Sequence, residues 1–365
     1  IQFPLPGLNT TDFTALNDTS SITTFFMSAT LAKAVDPRRV HFLPMQMRAV
    51  YDYLSAGIDV CLLQAAFDRN GLLRMGPNVD FNPAVLSCAK TVIVEINRGF
   101  VAPAGGLAID PDRIDYAFES DIPLFEMAPP QLDEVSLKIG ERVAGLIQDG
   151  DCLQTGIGAI PAAILSQLTH KNDLGLHGGL LDGGGQALIQ SGNVTGQRKA
   201  IDQGQHVTGM ALGDHAFFNW LSEASDVVFR GANYTHDVSV IRQLEQFVSI
   251  NSAVEVDLFG QVNAEVAGGR QISGTGGSVD FMRAAKASKG GRSIVAMTAT
   301  ARGGSVSRIV PKVDMLTALR TDVDIVVTEF GVAHLKTLNH RDRVKAMIAL
   351  AAPDFRAELS AIGGG

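Results

Sequence analysis

Short apolar runs rich in β-branched residues alternate along this chain with segments in which apolar residues recur every three or four positions. Near-continuous apolar runs are typical of parallel strands buried on both faces, and the second spacing is typical of amphipathic helices. The predicted strands are 58–67, 91–97, 293–299 and 323–331, and the predicted helices are 134–148, 161–168, 237–247 and 341–351. This alternation predicts open α/β domains with mainly parallel sheets.

The length of 365 residues is sufficient for two α/β domains, each with a hydrophobic core of its own. The clearest boundary signal is the Pro-Pro pair in EMAPPQLDE, residues 126–134, because a new series of helix and strand patterns follows it. We therefore predict an N-terminal α/β domain over residues 1–130 and a C-terminal α/β domain over residues 135–365.

Composition excludes several classes of function. The net charge of -8 disfavours a nucleic-acid partner, because phosphate binding requires a basic surface. No apolar run approaches the ~20 residues that a membrane-spanning helix needs, so no membrane association is expected. The scattered cysteines form no CxxC pair, which is typical of free thiols in a reducing, cytoplasmic compartment. No His, Cys, Asp or Glu cluster has metal-ligand spacing, so no metal site is predicted.

A glycine loop in LQTGIGAIP, residues 153–161, is the first candidate for chemistry. The pattern predicts a strand, a turn at Gly156 and Gly158, and a helix with Pro161 in its first turn. The start of such a helix offers unpaired N–H groups and a partial positive charge to an anion. The spacing is not that of a dinucleotide loop and no P-loop lysine follows, so a simple tight turn explains the pattern equally well.

A second group of glycines lies in SGTGGSVDF, residues 273–281, and would either admit a long, flat ligand against the main chain or form a turn. These glycines are Gly274, Gly276 and Gly277. Cations follow beside further glycines, namely Lys289, Arg292, Arg302 and Arg308. Such cations are suited to phosphate groups, although each one alone is also typical of a solvated loop.

One long run makes the pattern specific. SINSAVEVDLFGQVNAE, residues 249–265, resembles almost letter for letter the SINSAIEVDLTGQV signature of the acetyl-CoA hydrolase/transferase family. Further runs similar to that family follow in its order, at 273–281, 307–311, 320–335 and 353–356, and two more precede it, at 57–76 and 89–97. The resemblance implies two CoA-transferase-type (NagB/RpiA-like) α/β domains. It also implies coenzyme A as the acyl-CoA substrate, a small carboxylate as partner in any transfer, and a homodimer or higher homo-oligomer.

The family nucleophile is missing from LGLHGGLLDGGGQAL, residues 174–188. In the family this stretch reads roughly Leu-Gly-(Ile/Leu)-His-Thr-Glu-Met-Phe-Ser-Asp-Gly, and its Glu attacks the thioester and then carries CoA as a glutamyl thioester. Alignment on His177 puts Gly178 on the Thr and Gly179 on the Glu. Ser278 is a second departure, because the family usually has Gln there near the reacting centre. The resemblance therefore implies retained CoA-binding machinery without the usual glutamyl-CoA intermediate.

Other side chains are candidates to replace the missing carboxylate. Asp182 follows Gly179 on a loop that its glycines would make supple, and it could swing toward a substrate as a general base. His177 and His236 could activate water if their pKa values lay near neutrality, although a hydrogen-bonded role in orienting the loop is simpler for His177. Glu265 follows the long signature and is a further candidate. The remaining signature carboxylates, for which a structural or substrate-orienting role is expected, are Glu255, Asp257 and Glu329.

Three functions remain open. The first is an acyl-CoA hydrolase or CoA-transferase in which water or a bound carboxylate attacks the thioester directly, with the glycine loops 156–158 and 274–277 stabilising the oxyanion. The second is a hydrolase of carbon–carbon bonds in CoA-linked β-keto substrates (retro-Claisen type), for which the glycines of 178–185 would leave room. The third is a catalytically inactive acyl-CoA-binding protein.

Overall fold

The computed structural model describes residues 1–5 and 7–363. Its helices are α1 (Met47–Ser55), α2 (Asn82–Cys88), α3 (Glu134–Ala144), α4 (Ala159–Ser166), α5 (Gly183–Gln190), α6 (His215–Leu221), α7 (Ala232–Thr235), α8 (Val238–Ile241), α9 (Ser278–Ala287), α10 (His340–Leu350) and α11 (Pro353–Gly363). Single 3-10 turns lie at Phe13–Ala15, Leu31–Lys33, Pro37–Arg39 and Pro111–Arg113.

The strands are short, and most of their pairings are parallel. They are β1 (Ile22–Thr24), β2 (Val40–Phe42), β3 (Val60–Phe67), β4 (Leu73–Met75), β5 (Thr91–Asn97), β6 (Tyr116–Ser120), β7 (Cys152–Gln154), β8 (Gly175–Leu176), β9 (Leu180–Leu181), β10 (His206–Thr208), β11 (Met210–Ala211), β12 (Val227–Phe229), β13 (Phe247–Asn251), β14 (Glu255–Asp257), β15 (Val262–Asn263), β16 (Val266–Ala267), β17 (Arg270–Gln271), β18 (Arg292–Ala296), β19 (Thr300–Ala301), β20 (Val306–Ser307), β21 (Ile309–Val310), β22 (Ile325–Thr328) and β23 (Gly331–His334). The predicted α/β class with mainly parallel sheets is confirmed.

The chain divides into two compact units, and neither is one continuous segment. The first unit contains residues 1–47, 251–282 and 293–365, and the second contains 48–250 and 283–292. The units therefore differ from the predicted domains 1–130 and 135–365. The predicted boundary lies inside the second unit, where residues 121–133, all of them described, form neither helix nor strand. The Pro-Pro pair marks a long connection between β6 and α3 rather than an edge of a unit.

In the second unit, β4-β3-β5-β6 form one sheet, and β8, β7 and β13 lie side by side in parallel. Strand β5 matches the predicted 91–97 in both bounds. The prediction that β3 is buried on both faces was wrong, since Val60 and Leu62 are 52% and 74% exposed whereas Cys61 and Leu63 are 4% and 7% exposed. The sheet buries one face of β3 and leaves the start of the other face open, so exposure alternates along the strand despite its largely apolar sequence.

The predicted helix 237–247 was also wrong. Helix α8 ends at Ile241, and Phe247 already begins β13. Gln246 adopts a left-handed backbone conformation with φ of 54°, and its N–H donates to the carbonyl of Lys289 at 2.8 Å. A residue with left-handed backbone conformation interrupts a right-handed helix. The apolar residues of this segment are therefore divided between α8, a turn and β13.

The first unit contains parallel strands β18 and β22, with β23 antiparallel to β22. The predicted strand 323–331 is therefore a hairpin, because the chain reverses at Glu329 and Phe330. The Phe330 N–H donates to Thr328 Oγ1 at 3.2 Å and closes this turn. Helix α10 agrees with the predicted 341–351 within one residue, and it buries Val344, Met347 and Leu350 in the core of this unit.

Candidate functional site

The glycine loop after β7 has the predicted local structure. Strand β7 is buried between β8 and β13, and α4 begins at Ala159 with Pro161 buried in its first turn. Gly158 has φ of 115°, a conformation that favours glycine, and the space beside both Gly156 and Gly158 is open. The first N–H groups of a helix have no intrahelical partner, so this loop presents donors at the carboxyl edge of β7.

Gly179 lies at the same edge, one strand away. After β8, His177 forms a bridge with Val207, and Gly178 donates its N–H to the carbonyl of Val207 at 3.0 Å. The carbonyl oxygen of Gly179 accepts the N–H of Met210 at 2.9 Å. Because β7 and β8 are parallel neighbours, the segments that follow them meet at one edge of the sheet, where ligands of α/β proteins commonly bind.

A small pocket of about 10 Å³, near the size of one water molecule, lies at this edge. Its polar lining comes from Gln154, Thr155, His177, Asp182, His206 and Thr208. The fold thus brings together two of the predicted catalytic candidates, His177 and Asp182, beside the segment that carries Gly179. The catalytic roles of His177 and Asp182 stay predictions.

The His177 side chain is fully buried, and burial lowers its pKa to about 3. Neither ring nitrogen has a hydrogen-bond partner among the described residues. The main chain of Tyr234 and Thr235 lies close without hydrogen-bond geometry, and the rings of Tyr234 and Phe247 lie 5.9 and 6.4 Å from the imidazole. The ring is therefore neutral at physiological pH and held by packing, not by the hydrogen bonds expected. Burial likewise lowers the pKa of His236 to about 3.

Asp182 does not lie on a supple loop, and this expectation was wrong. Its carboxylate caps α5, accepting the N–H groups of Gly184 and Gly185 at 3.0 and 3.1 Å. Burial raises the pKa of Asp182, and these two N–H groups offset part of the rise. Gly184 and Gly185 do not leave empty space either, since a Cβ would lie 2.8 Å from Leu165 at Gly184 and 2.6 Å from Leu181 at Gly185, whereas the space beside Gly183 is open. The glycines therefore allow α5 to pack closely.

We expect Asp182→Ala to lower the free energy of unfolding by ~1 kcal/mol, because the cap of α5 is lost. Asp182→Asn should stay within a few tenths of a kcal/mol of the wild type, since Asn is an equally good cap. Urea denaturation of both variants measures the difference, and Asp133→Ala, which removes the cap of α3, is the matched control. Equal losses for Asn and Ala would contradict a capping role and would make the charge itself important.

Glu265 belongs to the first unit and is only 6% exposed. Its carboxylate accepts hydrogen bonds from Thr317 Oγ1 at 2.7 Å, from Gln271 Nε2 at 3.3 Å and from Thr275 Oγ1 at 3.4 Å. Thr275 lies in the glycine-rich turn before α9, so Glu265 holds this turn in place. The structure supplies Glu265 with structural partners, and a catalytic role remains only a prediction.

The glycines before α9 are explained by close main-chain packing. A Cβ on Gly274 would collide with the carbonyl oxygen of Phe25, and Gly276 has φ of 58°. Gly277 accepts the N–H of Phe281 at 3.0 Å as α9 begins. Ser278, the first residue of α9, donates its hydroxyl to the carbonyl of Thr275 at 3.0 Å. Gly274 thus admits the main chain that follows β1, so this glycine serves close packing in a turn, which was the alternative to a ligand.

The long signature forms a hydrogen-bonded turn. Asp257 is fully buried and accepts the N–H groups of Phe259 and Gln261, each at 2.9 Å. Gly260 has φ of 86° within this turn. Arg308 donates to the carbonyls of the preceding segment, at 2.7 Å to Val254. Arg308 is thus not the free cation that its position beside glycines suggested.

Two of the predicted CoA-binding cations, Lys289 and Arg292, lie in the second unit, and both form ion pairs. Lys289 is exposed and pairs with Glu245 at 3.0 Å, with side-chain exposures of 82% and 61%. Arg292 forms a buried ion pair with Asp151, with exposures of 17% and 0%, and also donates to the carbonyl of Leu146 at 2.9 Å. The Arg292 guanidinium thus stabilises the connection between α3 and β7, and its contact with CoA phosphates stays a prediction.

Comparison with known proteins places this site in a family. The family model for the acetyl-CoA hydrolase/transferase N-terminal domain matches residues 9–121, and that for the C-terminal domain matches residues 213–362. The chain is 38% identical over 341 residues to the 4-hydroxybutyrate coenzyme A transferase of Clostridium kluyveri, covering 92% of this chain and 80% of that protein. The chain belongs to the acetyl-CoA hydrolase/transferase family.

Other members agree in sequence and in fold. The acetyl-CoA hydrolase of Saccharomyces cerevisiae is 24% identical, covering 90% of this chain and 72% of that protein. The crystal structure of RipA from Yersinia pestis superposes with a TM-score of 0.88 at 34% identity, covering 94% of this chain and 81% of that one. The acetyl-CoA hydrolase/transferase family acts on CoA thioesters. This chain is therefore an enzyme of a family whose substrates contain CoA.

Two further observations concern metal ions and membranes. Within residues 1–5 and 7–363, no group of three or more His, Cys, Asp or Glu side chains is placed to hold a metal ion. Across the same residues, no helix combines the length and the apolar character needed to cross a membrane.

The sequence reasoning missed Asp80, a carboxyl group that lies beside the Gly179 segment. Asp80 is 5% exposed, and burial raises its pKa to about 7. The available signal was an acidic residue between the apolar Val79 and Phe81. The apolar and polar pattern alone did not distinguish Asp80 from an acidic residue in an ordinary turn. The residues that surround its side chain, such as Gly209, lie far from it in the sequence.

Proposed function

We propose that this enzyme breaks a short-chain acyl-CoA thioester by direct attack of water or of a bound carboxylate, without a glutamyl-CoA intermediate. The proposal depends on one observation, the glycine at position 179 where the family resemblance implies the nucleophilic Glu. The main chain of Gly179 is held at this position, because its carbonyl oxygen accepts the N–H of Met210 at 2.9 Å.

The chemistry follows from the edge formed by the segments after β7 and β8. The donors at the start of α4 suit the oxyanion that forms when the thioester carbonyl is attacked. In hydrolysis, water adds to the carbonyl carbon, the C–S bond breaks, and CoA leaves as the thiol once it takes up a proton. In transfer, the incoming carboxylate attacks the carbonyl carbon, the C–S bond breaks, and a mixed anhydride and the CoA thiolate are formed. The thiolate then attacks the carbonyl of the incoming acid, the anhydride bond breaks, and the original acyl group leaves as its carboxylate.

A short acyl group is supported by the packing around the pocket. Gly184 and Gly185 are closely packed by Leu165 and Leu181, so these two positions add no room for a substrate. The relatives include enzymes named for 4-hydroxybutyrate, butyrate and acetate. The room that a bulky β-keto substrate would need is therefore not supplied by these glycines, and thioester chemistry is favoured over carbon–carbon hydrolysis.

The test compares the wild type with Gly179→Glu. Each is incubated with acetyl-CoA, butyryl-CoA or 4-hydroxybutyryl-CoA, with and without acetate. Mass spectrometry then measures free CoA, exchanged acyl-CoA and the intact protein. We expect the wild type to release or exchange CoA without a covalent adduct, because position 179 has no carboxylate. We expect Gly179→Glu to gain a protein-bound CoA adduct, since a carboxylate there can form the acyl anhydride and then the thioester.

The matched control is Gly183→Glu, which adds a carboxylate in open space at the start of α5 and should form no adduct. A CoA adduct on the wild type would overturn the proposal, because another nucleophile would then be present. A wild type that binds all these thioesters and converts none would also overturn it, in favour of an inactive acyl-CoA-binding protein.

A further inference from the structure

Asp80 lies directly across one strand segment from Gly179. Residues 77–80 run antiparallel to 209–211, with Val79 N–H donating to the carbonyl of Gly209 at 2.8 Å. On the other side of the same segment, the Met210 N–H donates to the carbonyl of Gly179 at 2.9 Å. Asp80 and Gly179 are therefore neighbours through Gly209, although they are far apart in the sequence.

The Asp80 carboxyl group fills the space beside Gly209. A Cβ on Gly209 would collide with the Asp80 oxygen Oδ1, would lie 3.1 Å from its Cγ, and would lie 3.3 Å from the carbonyl oxygen of Gly179. Only a glycine at position 209 lets this carboxyl group approach the main chain of residue 179. The structure thus brings a second carboxyl group to the position where the family's own carboxylate is missing.

No structural role accounts for the Asp80 side chain. It is 5% exposed, and its Oδ1 has no hydrogen-bond partner among the described residues. Other buried carboxylates of this unit have partners, such as Asp68 with Arg74 at 2.6 Å and Asp182 with the N–H groups of α5. Burying a carboxyl group without a partner costs free energy, so its presence indicates a functional use.

We propose that Asp80 is the general base that activates water for attack on the acyl-CoA thioester, and this inference rests on the proposed function. The Asp80 carboxylate takes a proton from water while the water oxygen bonds to the carbonyl carbon. When the C–S bond breaks, the Asp80 acid returns that proton to the leaving sulfur of CoA. The products are free CoA and the carboxylic acid, which ionises in solution, and no oxidant or further reactant is needed.

The electrostatics around Asp80 suit this role. Burial alone raises its pKa to about 7, so both the base and its acid are present near neutrality. Tyr51 of α1 is the titratable side chain that approaches from the neighbouring helix, through Gly231, whose added Cβ would lie 2.9 Å from the Tyr51 ring and 3.3 Å from the Asp80 carbonyl. The pKa of Tyr51 is raised by burial, so its hydroxyl stays neutral there.

The test measures CoA release from acetyl-CoA and butyryl-CoA by the wild type, Asp80→Asn and Asp80→Ala, with thermal unfolding as the check of folding. We expect kcat to fall about 10²- to 10⁴-fold in both variants, with KM changed much less. The wild-type kcat/KM should fall as the pH drops below about 7, whereas the residual rate of Asp80→Asn should lack this step. The control is Asp214→Asn, which keeps the cap of α6 and should retain wild-type kcat.

The outcomes separate this inference from the proposed function. A wild type that cleaves acyl-CoA together with an Asp80→Asn variant of equal kcat overturns the role of Asp80 and leaves the proposed function intact. A wild type that exchanges acyl groups with acetate but releases no CoA overturns the role of Asp80 alone. A wild type that neither releases CoA from these thioesters nor exchanges their acyl groups overturns both. If Asp80→Asn loses kcat while Asp80→Ala keeps it, the carboxylate is not the base and the inference is wrong.

Discussion

Arg292→Met should lower the free energy of unfolding by about 3–5 kcal/mol, because it leaves Asp151 buried without its cation. The Asp151 side chain is fully buried, and without Arg292 the one hydrogen bond left to its carboxylate from the described part of the chain is the N–H of Gln148, at 2.7 Å. Burial already raises the pKa of Asp151 despite the nearby guanidinium. Urea denaturation near neutral pH measures the loss.

The pH dependence of this loss follows from the same pKa. Removing Arg292 raises the pKa of Asp151 further, so the folded state then favours the neutral acid. Stability is retained below the ordinary carboxyl pKa and is lost as the pH rises through the folded pKa. The loss in Arg292→Met should therefore be largest at neutral and alkaline pH and should shrink as the pH falls.

Two controls make this result interpretable. Lys289→Met removes only an exposed pair with Glu245, with exposures of 82% and 61%, so it should cost less than ~1 kcal/mol. The double variant Asp151→Asn with Arg292→Met should recover most of the loss, since no buried charge remains. A small effect of Arg292→Met combined with a large rise in KM for acyl-CoA would instead restore Arg292 as a CoA-binding cation.

Asp80→Asn should make the protein less sensitive to pH between about pH 4 and pH 8. The pKa of Asp80 rises from its ordinary value of 3.8 to about 7 on folding, which corresponds to about 4 kcal/mol, since a tenfold change in proton affinity is ~1.4 kcal/mol. Because the folded pKa is raised, the stabilisation is complete below pH 3.8 and is lost as the pH rises through 7. Relative to Asp80→Asn, the wild type should become progressively less stable over this range.

The measurement is urea denaturation of both proteins at about pH 5 and pH 8. Because the two proteins differ only at residue 80, all other titratable groups contribute equally to both. The quantity that matters is the change with pH of the difference in unfolding free energy between the two proteins. Curves that stay parallel over this range would show that the Asp80 carboxylate is as well solvated in the folded protein as in the unfolded chain. A carboxylate retained at such a cost in stability is typical of functional sites.

The two carboxylates give opposite expectations for removing a charged partner. Asp151 depends on Arg292, so its cation is structural, whereas Asp80 forms no ion pair with any residue that the structure describes. The buried pair of Asp151 and Arg292 therefore stabilises the second unit, whereas the unpaired Asp80 is the group proposed to take part in its chemistry. The absence of a carboxylate at position 179 makes Asp80 the more informative of the two for function.

The sequence by itself determined the fold class, the family and several elements. The apolar run 91–97 and the spacing of 341–351 correspond to β5 and α10, because each reflects burial along one local segment. The strand, glycine turn and helix around Gly156 and Gly158 were likewise predicted, since backbone conformation at glycine is a local property. The run from 249 to 265 indicated the family because it resembles the family signature almost letter for letter. The turn within it was accessible to sequence comparison because its hydrogen bonds lie inside the same segment.

Only the tertiary structure decided the roles of individual polar side chains. Asp182 became a helix cap, Arg292 became the partner of Asp151, and Asp80 came to lie beside Gly179. The pattern of apolar and polar positions records whether a side chain is buried, but not which distant group it meets. Hydrogen bonds and pKa values depend on that meeting, since burial without a partner and burial with one have opposite consequences for a charge.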